Sequence, residues 1–135
     1  MDDTFRMGAP RQSTPAMDLE VLESLFSMGG EELRAELCAQ LITDFKRIAA
    51  ELDSEEGSKI ARAAHELKGL AATVGAARLA DMARSVDHVA EGMAAPALIV
   101  VTRPLRSEID TVLYHLRQAA TGGSDARAPG KTPEA

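Results

Sequence analysis

Apolar residues recur at intervals of three and four along nearly all of the chain from residue 18 to residue 120, and Gly or Pro interrupts the recurrence only at short gaps. That interval belongs to helices that bury one face. The runs are Leu19, Leu22 and Phe26; Leu33, Leu37, Leu41, Phe45 and Ile48; Ile60, Ala63, Leu67, Leu70 and Val74; Leu79, Met82, Ala83, Val86 and Val89; and Leu98, Val101, Leu105, Ile109, Val112 and Leu116. They predict five helices, over about 18–27, 31–53, 54–74, 77–93 and 97–120. Asp18 is placed to cap the first. Gly29 and Gly30 end it, Gly75 is a C-cap candidate for the third, and Pro96 suits the first turn of the fifth. Pro104 falls inside the fifth stripe, which continues in phase across it, so a kink is expected rather than a break. Short connections make consecutive helices antiparallel neighbours. The expected fold is all-α: an antiparallel up-and-down four-helix bundle with a short extra N-terminal helix. Aromatic residues make up only 3% of the chain and there is no Trp, a poor supply for a β-sandwich or barrel. The bundle should occupy residues 17–120. The Gly- and Pro-containing segments 1–16 and 121–135 are expected to be disordered tails.

Charge narrows the function. The chain carries a net charge of −6, from 15 basic and 21 acidic residues. An acidic body is badly suited to neutralising phosphates along a nucleic acid, so no nucleic-acid partner is expected. A single cysteine, Cys38, excludes an intramolecular disulfide and any multi-cysteine metal site. No apolar run reaches the ~20 residues that a membrane span needs, and the N-terminus lacks the basic-then-apolar pattern of a secretory signal. These features together predict a cytoplasmic protein with no membrane partner.

The third stretch concentrates the chemistry. Stepping about 100° per residue from His65 puts Ile60, Ala63, Leu67, Leu70 and Val74 within roughly 40° of the opposite pole. His65 therefore points away from the core. Its own face, within roughly 60°, carries Ser58, Ala61, Arg62, Lys68, Gly69, Ala72 and Ala76. Those neighbours are small or basic. A neutral imidazole exposed at the pH of a cell is a competent nitrogen nucleophile. Lys68, one turn on, can bring an ammonium to a phosphoryl group on that ring. Arg62 supplies a second cation on the other flank. Gly69 costs about 0.5–1 kcal/mol relative to Ala in mid-helix, so clearance for a partner accounts for it better than helix stability does. A lone surface His is most often just a solvated side chain. The Lys and Gly that share its face set this one apart.

His65-Glu66-Leu67-Lys68-Gly69, followed by Ala71, Ala72, Val74, Gly75, Ala76 and Leu79, resembles the signature of histidine-containing phosphotransfer (HPt) domains. The resemblance spans about residues 18–120, and its specific part is about 61–87. It implies a four-helix bundle that takes a phosphoryl group from a receiver-domain aspartate and passes it to another. In that family the residue matching His65 is phosphorylated, the one matching Lys68 assists electrostatically, and the one matching Gly69 permits close approach. The domain is a carrier with no kinase activity and no cofactor, and the Mg²⁺ belongs to the receiver. Histidine kinases have Arg-Thr-Pro where this chain has Lys68-Gly69-Leu70, so phosphorylation from ATP is not expected. Some members place a polar side chain from the next helix near the imidazole, and Asp87 and Glu91 are the candidates here by spacing. The implied partners are receiver domains of response regulators and hybrid histidine kinases, met by a stand-alone, monomeric shuttle.

The docking face should include Ala61, Arg62 and Ala72 on the third helix and, by adjacency, Gln40, Ile42, Thr43 and Lys46 on the second. Ile42 lies off the main stripe, where an exposed apolar side chain would make a useful contact. His88, His115 and Glu66 read as solvated or rim residues, and Cys38 as a small core or boundary residue. No grouping has metal-ligand convergence. Two other functions are weighed: a helical adaptor that regulates a receiver or kinase by occupancy alone, and a small phosphatase using His65 and Glu66. The second lacks a convergent partner group.

Overall fold

The computed structural model describes residues 16–121. Among these there are five α-helices, one 3₁₀ turn and no strand. The helices are α1 (Leu19–Phe26), α2 (Glu31–Glu51), α3 (Gly57–Thr73), α4 (Ala77–Val89) and α5 (Ala95–Ala120). The 3₁₀ turn, Ala90–Gly92, follows α4. The segments expected to be disordered, 1–16 and 121–135, lie outside the described residues except for Ala16 and Thr121. No helix among the described residues is long and apolar enough to cross a membrane.

Helices α2, α3, α4 and α5 form the bundle. Each packs on its sequence neighbour, α5 closes the ring against α2, and α1 lies against α2. The core contains Leu41, Phe45, Ile48, Ile60, Leu67, Leu79, Leu98, Leu105, Ile109 and Leu116, with Leu22 and Phe26 from α1. Thr102 is the one buried polar side chain among the described residues, and its hydroxyl donates to the Leu98 carbonyl at 2.9 Å. Cys38 is fully buried, and burial pushes its thiol pKa up, which makes it an inert packing group.

The helix ends follow local chemistry. Asp18 caps α1 by accepting from the Glu20 amide at 3.0 Å. Helix α3 begins at Gly57, three residues later than expected. The Ser54 hydroxyl takes the Glu56 amide at 3.0 Å and folds the connection into a turn instead. Helix α4 ends at Val89, and the chain tightens into the 3₁₀ turn rather than continuing to residue 93. Val89 is consequently 46% exposed, not inward. Leu33, also expected inward, is 41% exposed, because it sits in the first turn of α2 against the Gly29 backbone. Helix α5 runs unbroken through Pro104, which lies on its exposed side.

The turn from α3 to α4 is the tightest corner of the bundle. Gly75 has φ +81°, the left-handed region where glycine has no steric penalty. Its carbonyl accepts from the Asp18 amide at 2.7 Å. The N-terminal segment is thereby pinned to the corner that sets α3 against α4.

Candidate functional site

The site is built on α3, where one side of the helix is almost entirely alanine. Ala61, Ala64 and Ala71 are buried, and α3 packs against α4 more extensively than against any other helix. Close packing brings the outer face of α4 level with the outer face of α3. His65 stands at that edge with its side chain 68% exposed. Its Nδ1 lies 2.9 Å from Oδ2 of Asp87 on α4. A carboxylate only accepts, so this contact makes Nδ1 the protonated ring nitrogen. The Nε2 lone pair is left for other chemistry. Asp87 is itself mostly covered, with its side chain 22% exposed. Glu91, the other candidate by spacing, sits exposed in the 3₁₀ turn and does not contact the ring.

Around the imidazole the surface is open and basic. A Cβ added at Gly69 would meet nothing within 4 Å. Ala72 is exposed one turn on. Lys68 is half-buried and Arg62 exposed, and neither pairs with a carboxylate among the described residues. His65, Lys68, Gly69, Arg62 and Ala72 thus share one face of α3, and on α2 Lys46 and Thr43 are exposed. Because Gly69 has free space around it, Gly69→Ala should raise stability by about 0.5–1 kcal/mol through helix propensity. Thermal or urea unfolding checks this. A loss of stability would mean the glycine is there for packing.

Two expected docking residues are not where the sequence placed them. Ala61 is only about 40° from His65 on a helical wheel, yet it is buried in the core. A wheel ignores what packs alongside, and α4 covers that flank. Ile42 is half-buried and packed against the core, so it offers a partner an edge at most.

Glu66 was expected to be merely solvated. It makes the closest ion pair across α2 and α3 instead. Arg47 Nη2 donates to Glu66 Oε2 at 2.6 Å and Nη1 to Oε1 at 3.3 Å, while Nη1 also reaches Glu51 Oε2 at 3.2 Å. The hydrogen bonds from Arg47 hold the Glu66 carboxyl below the usual range, and Glu66 in turn raises the pKa of Arg47. A lowered carboxyl pKa stabilises the fold above the ordinary Glu value of about 4.3, and that contribution is lost as pH falls through the lowered one. Nothing in the sequence marked this pair, since the partners lie 19 residues apart on different helices.

A family model for the Hpt domain matches residues 32–119, well over half of the chain. The chain belongs to the Hpt domain family. Hpt domains are helical phosphotransfer carriers rather than kinases, and they interact with receiver domains, so this chain is a phosphorelay component. Comparison with curated proteins and with solved structures gave no match.

Proposed function

We propose that the chain carries a phosphoryl group on Nε2 of His65 between receiver-domain aspartates, one from a hybrid histidine kinase and one from a response regulator. The observation that carries this reading is the exposed imidazole whose Nδ1 is occupied by Asp87. The Nε2 lone pair attacks the phosphorus of an aspartyl phosphate. The P–O bond to the aspartate breaks, and the carboxylate leaves with the bonding pair. The ring keeps its Nδ1 proton throughout, so no separate base is required. The positive charge it acquires is offset by Asp87. Return transfer reverses these events and releases a neutral imidazole.

The other residues of the face have supporting roles. The Lys68 ammonium meets the phosphoryl oxygens, with Arg62 as a second cation. Gly69 and Ala72 leave room for the receiver, and Lys46 extends the docking face onto α2. The Mg²⁺ of the reaction is assigned to the receiver, and the chain needs no cofactor of its own. One copy is enough for a diffusible cytoplasmic shuttle.

Incubation with a phosphorylated receiver tests the reading. The chain should take up acid-labile label and pass it to a second receiver. Binding without label would make it an adaptor acting by occupancy. Asp87→Ala should slow transfer five- to thirtyfold, the worth of a partly exposed charge-assisted hydrogen bond of about 1–2 kcal/mol. It should also mix the two ring tautomers, which ¹⁵N NMR of the imidazole reads directly. Glu91→Gln should change neither. Equal rates for wild type and Asp87→Ala would remove Asp87 from the mechanism.

A further inference from the structure

His65 and Glu66 are consecutive and both exposed, but their side chains are drawn to opposite sides of α3. The imidazole is held toward α4 by Asp87, and the carboxylate is held toward α2 by Arg47. Both Glu66 oxygens are engaged. Arg47 is anchored from its own helix by Glu51, so its guanidinium is fixed before it meets Glu66. Among the described residues this is the one ion pair joining α2 to α3. The cations beside the imidazole, Lys68 and Arg62, make no such pair there. The carboxylate nearest in sequence to the phosphoacceptor is therefore the one that the fold ties down.

We propose that Arg47 is a positioning residue that keeps Glu66 away from the phosphoryl group on His65 and thereby sets the lifetime of the phosphohistidine. The inference rests on the phosphotransfer reading above. A released Glu66 would shorten that lifetime in two ways. Its charge would repel the phosphoryl oxygens. It would also serve as a base for hydrolysis. In that step a water oxygen bonds to phosphorus as the P–Nε2 bond breaks. The bonding pair returns to Nε2, and the ring leaves neutral with its Nδ1 proton in place. The proton lost by the water goes to the Glu66 carboxylate, and inorganic phosphate departs. With both oxygens on Arg47, Glu66 can do neither.

The test uses the full chain, labelled on His65 by a phosphorylated receiver and then freed of it, with loss of label followed at neutral pH. Arg47→Met should shorten the half-life about fivefold, the worth of one unit charge about 4 Å away in water-like surroundings. Arg47→Lys, which restores a cation without the fork, should fall between the two. The decisive variant is Arg47→Met combined with Glu66→Gln. It should recover the wild-type half-life, which a structural lesion or loss of the Arg47 charge alone would not allow. A double variant as short-lived as Arg47→Met, or an Arg47→Met protein as long-lived as wild type, would overturn the assignment. A wild-type chain that never takes label would instead overturn the phosphotransfer reading, and this inference with it.

Discussion

His65→Gln should take up no phosphoryl group from any phosphorylated receiver, while its fold and melting temperature should stay close to wild type. The amide nitrogen of Gln has no available lone pair, so the nucleophile is gone although size and polarity are kept. The side chain it replaces is 68% exposed, and surface changes of this kind stay within about 0.5 kcal/mol. The remaining histidines offer no substitute. His88 is exposed without the Lys-Gly pair, and His115 is half-buried on α5 with its ring edge-on to Tyr114 at 5.5 Å. Receiver-derived, acid-labile label persisting on the Gln variant would refute the assignment of His65. The expected effect on transfer is all or none, which makes this the sharpest single measurement on the protein.

Gly75→Ala should cost about 2–4 kcal/mol, measured by urea unfolding. The same exchange is stabilising at Gly69, and the contrast comes entirely from surroundings. At Gly75 the backbone is at φ +81°, where a Cβ is strained in any case. The added methyl would also sit 2.8 Å from the Asp18 carbonyl oxygen and 2.9 Å from Cβ of Val21. Backbone cannot swing aside as a flexible side chain can, so the corner must shift. That corner fixes how α4 lies along α3, and the contact between His65 and Asp87 depends on it. Transfer by the folded fraction of the variant should therefore fall as well. A Gly75→Ala protein as stable as wild type would show that the corner relaxes without cost.

Much of this is legible in the sequence. The stripe Ile60, Ala63, Leu67, Leu70 and Val74 fixed the buried side of α3, so His65 had to point outward. Gly75 and Pro96 mark helix ends because each has a backbone reason to be there, a positive φ at Gly75 and a first-turn place at Pro96. What escaped was of two kinds. Helix ends moved where a side chain competed for backbone, as Ser54 did, or where a helix tightened, as α4 did after Val89. Contacts between helices escaped because they depend on axial offset and separation, which no periodicity records. Asp87 and Glu91 were equivalent by spacing until α4 was set against the alanines of α3. Ala61 was misplaced for the same reason, and the Arg47–Glu66 pair had no local signal at all.

The family match begins at residue 32, downstream of α1. Yet Leu22 and Phe26 are buried at 1% and 2% exposure, and Arg34 lies over the Phe26 ring at 4.7 Å. Asp18 is bonded to Gly75 at the far end of the bundle's working face. A fragment that starts at residue 32 should therefore be less stable than one that keeps α1. The leading helix acts as a buttress: cutting the chain at the similarity boundary would spare His65, Lys68 and Asp87 but remove the Asp18 bond to the Gly75 corner that sets α3 against α4.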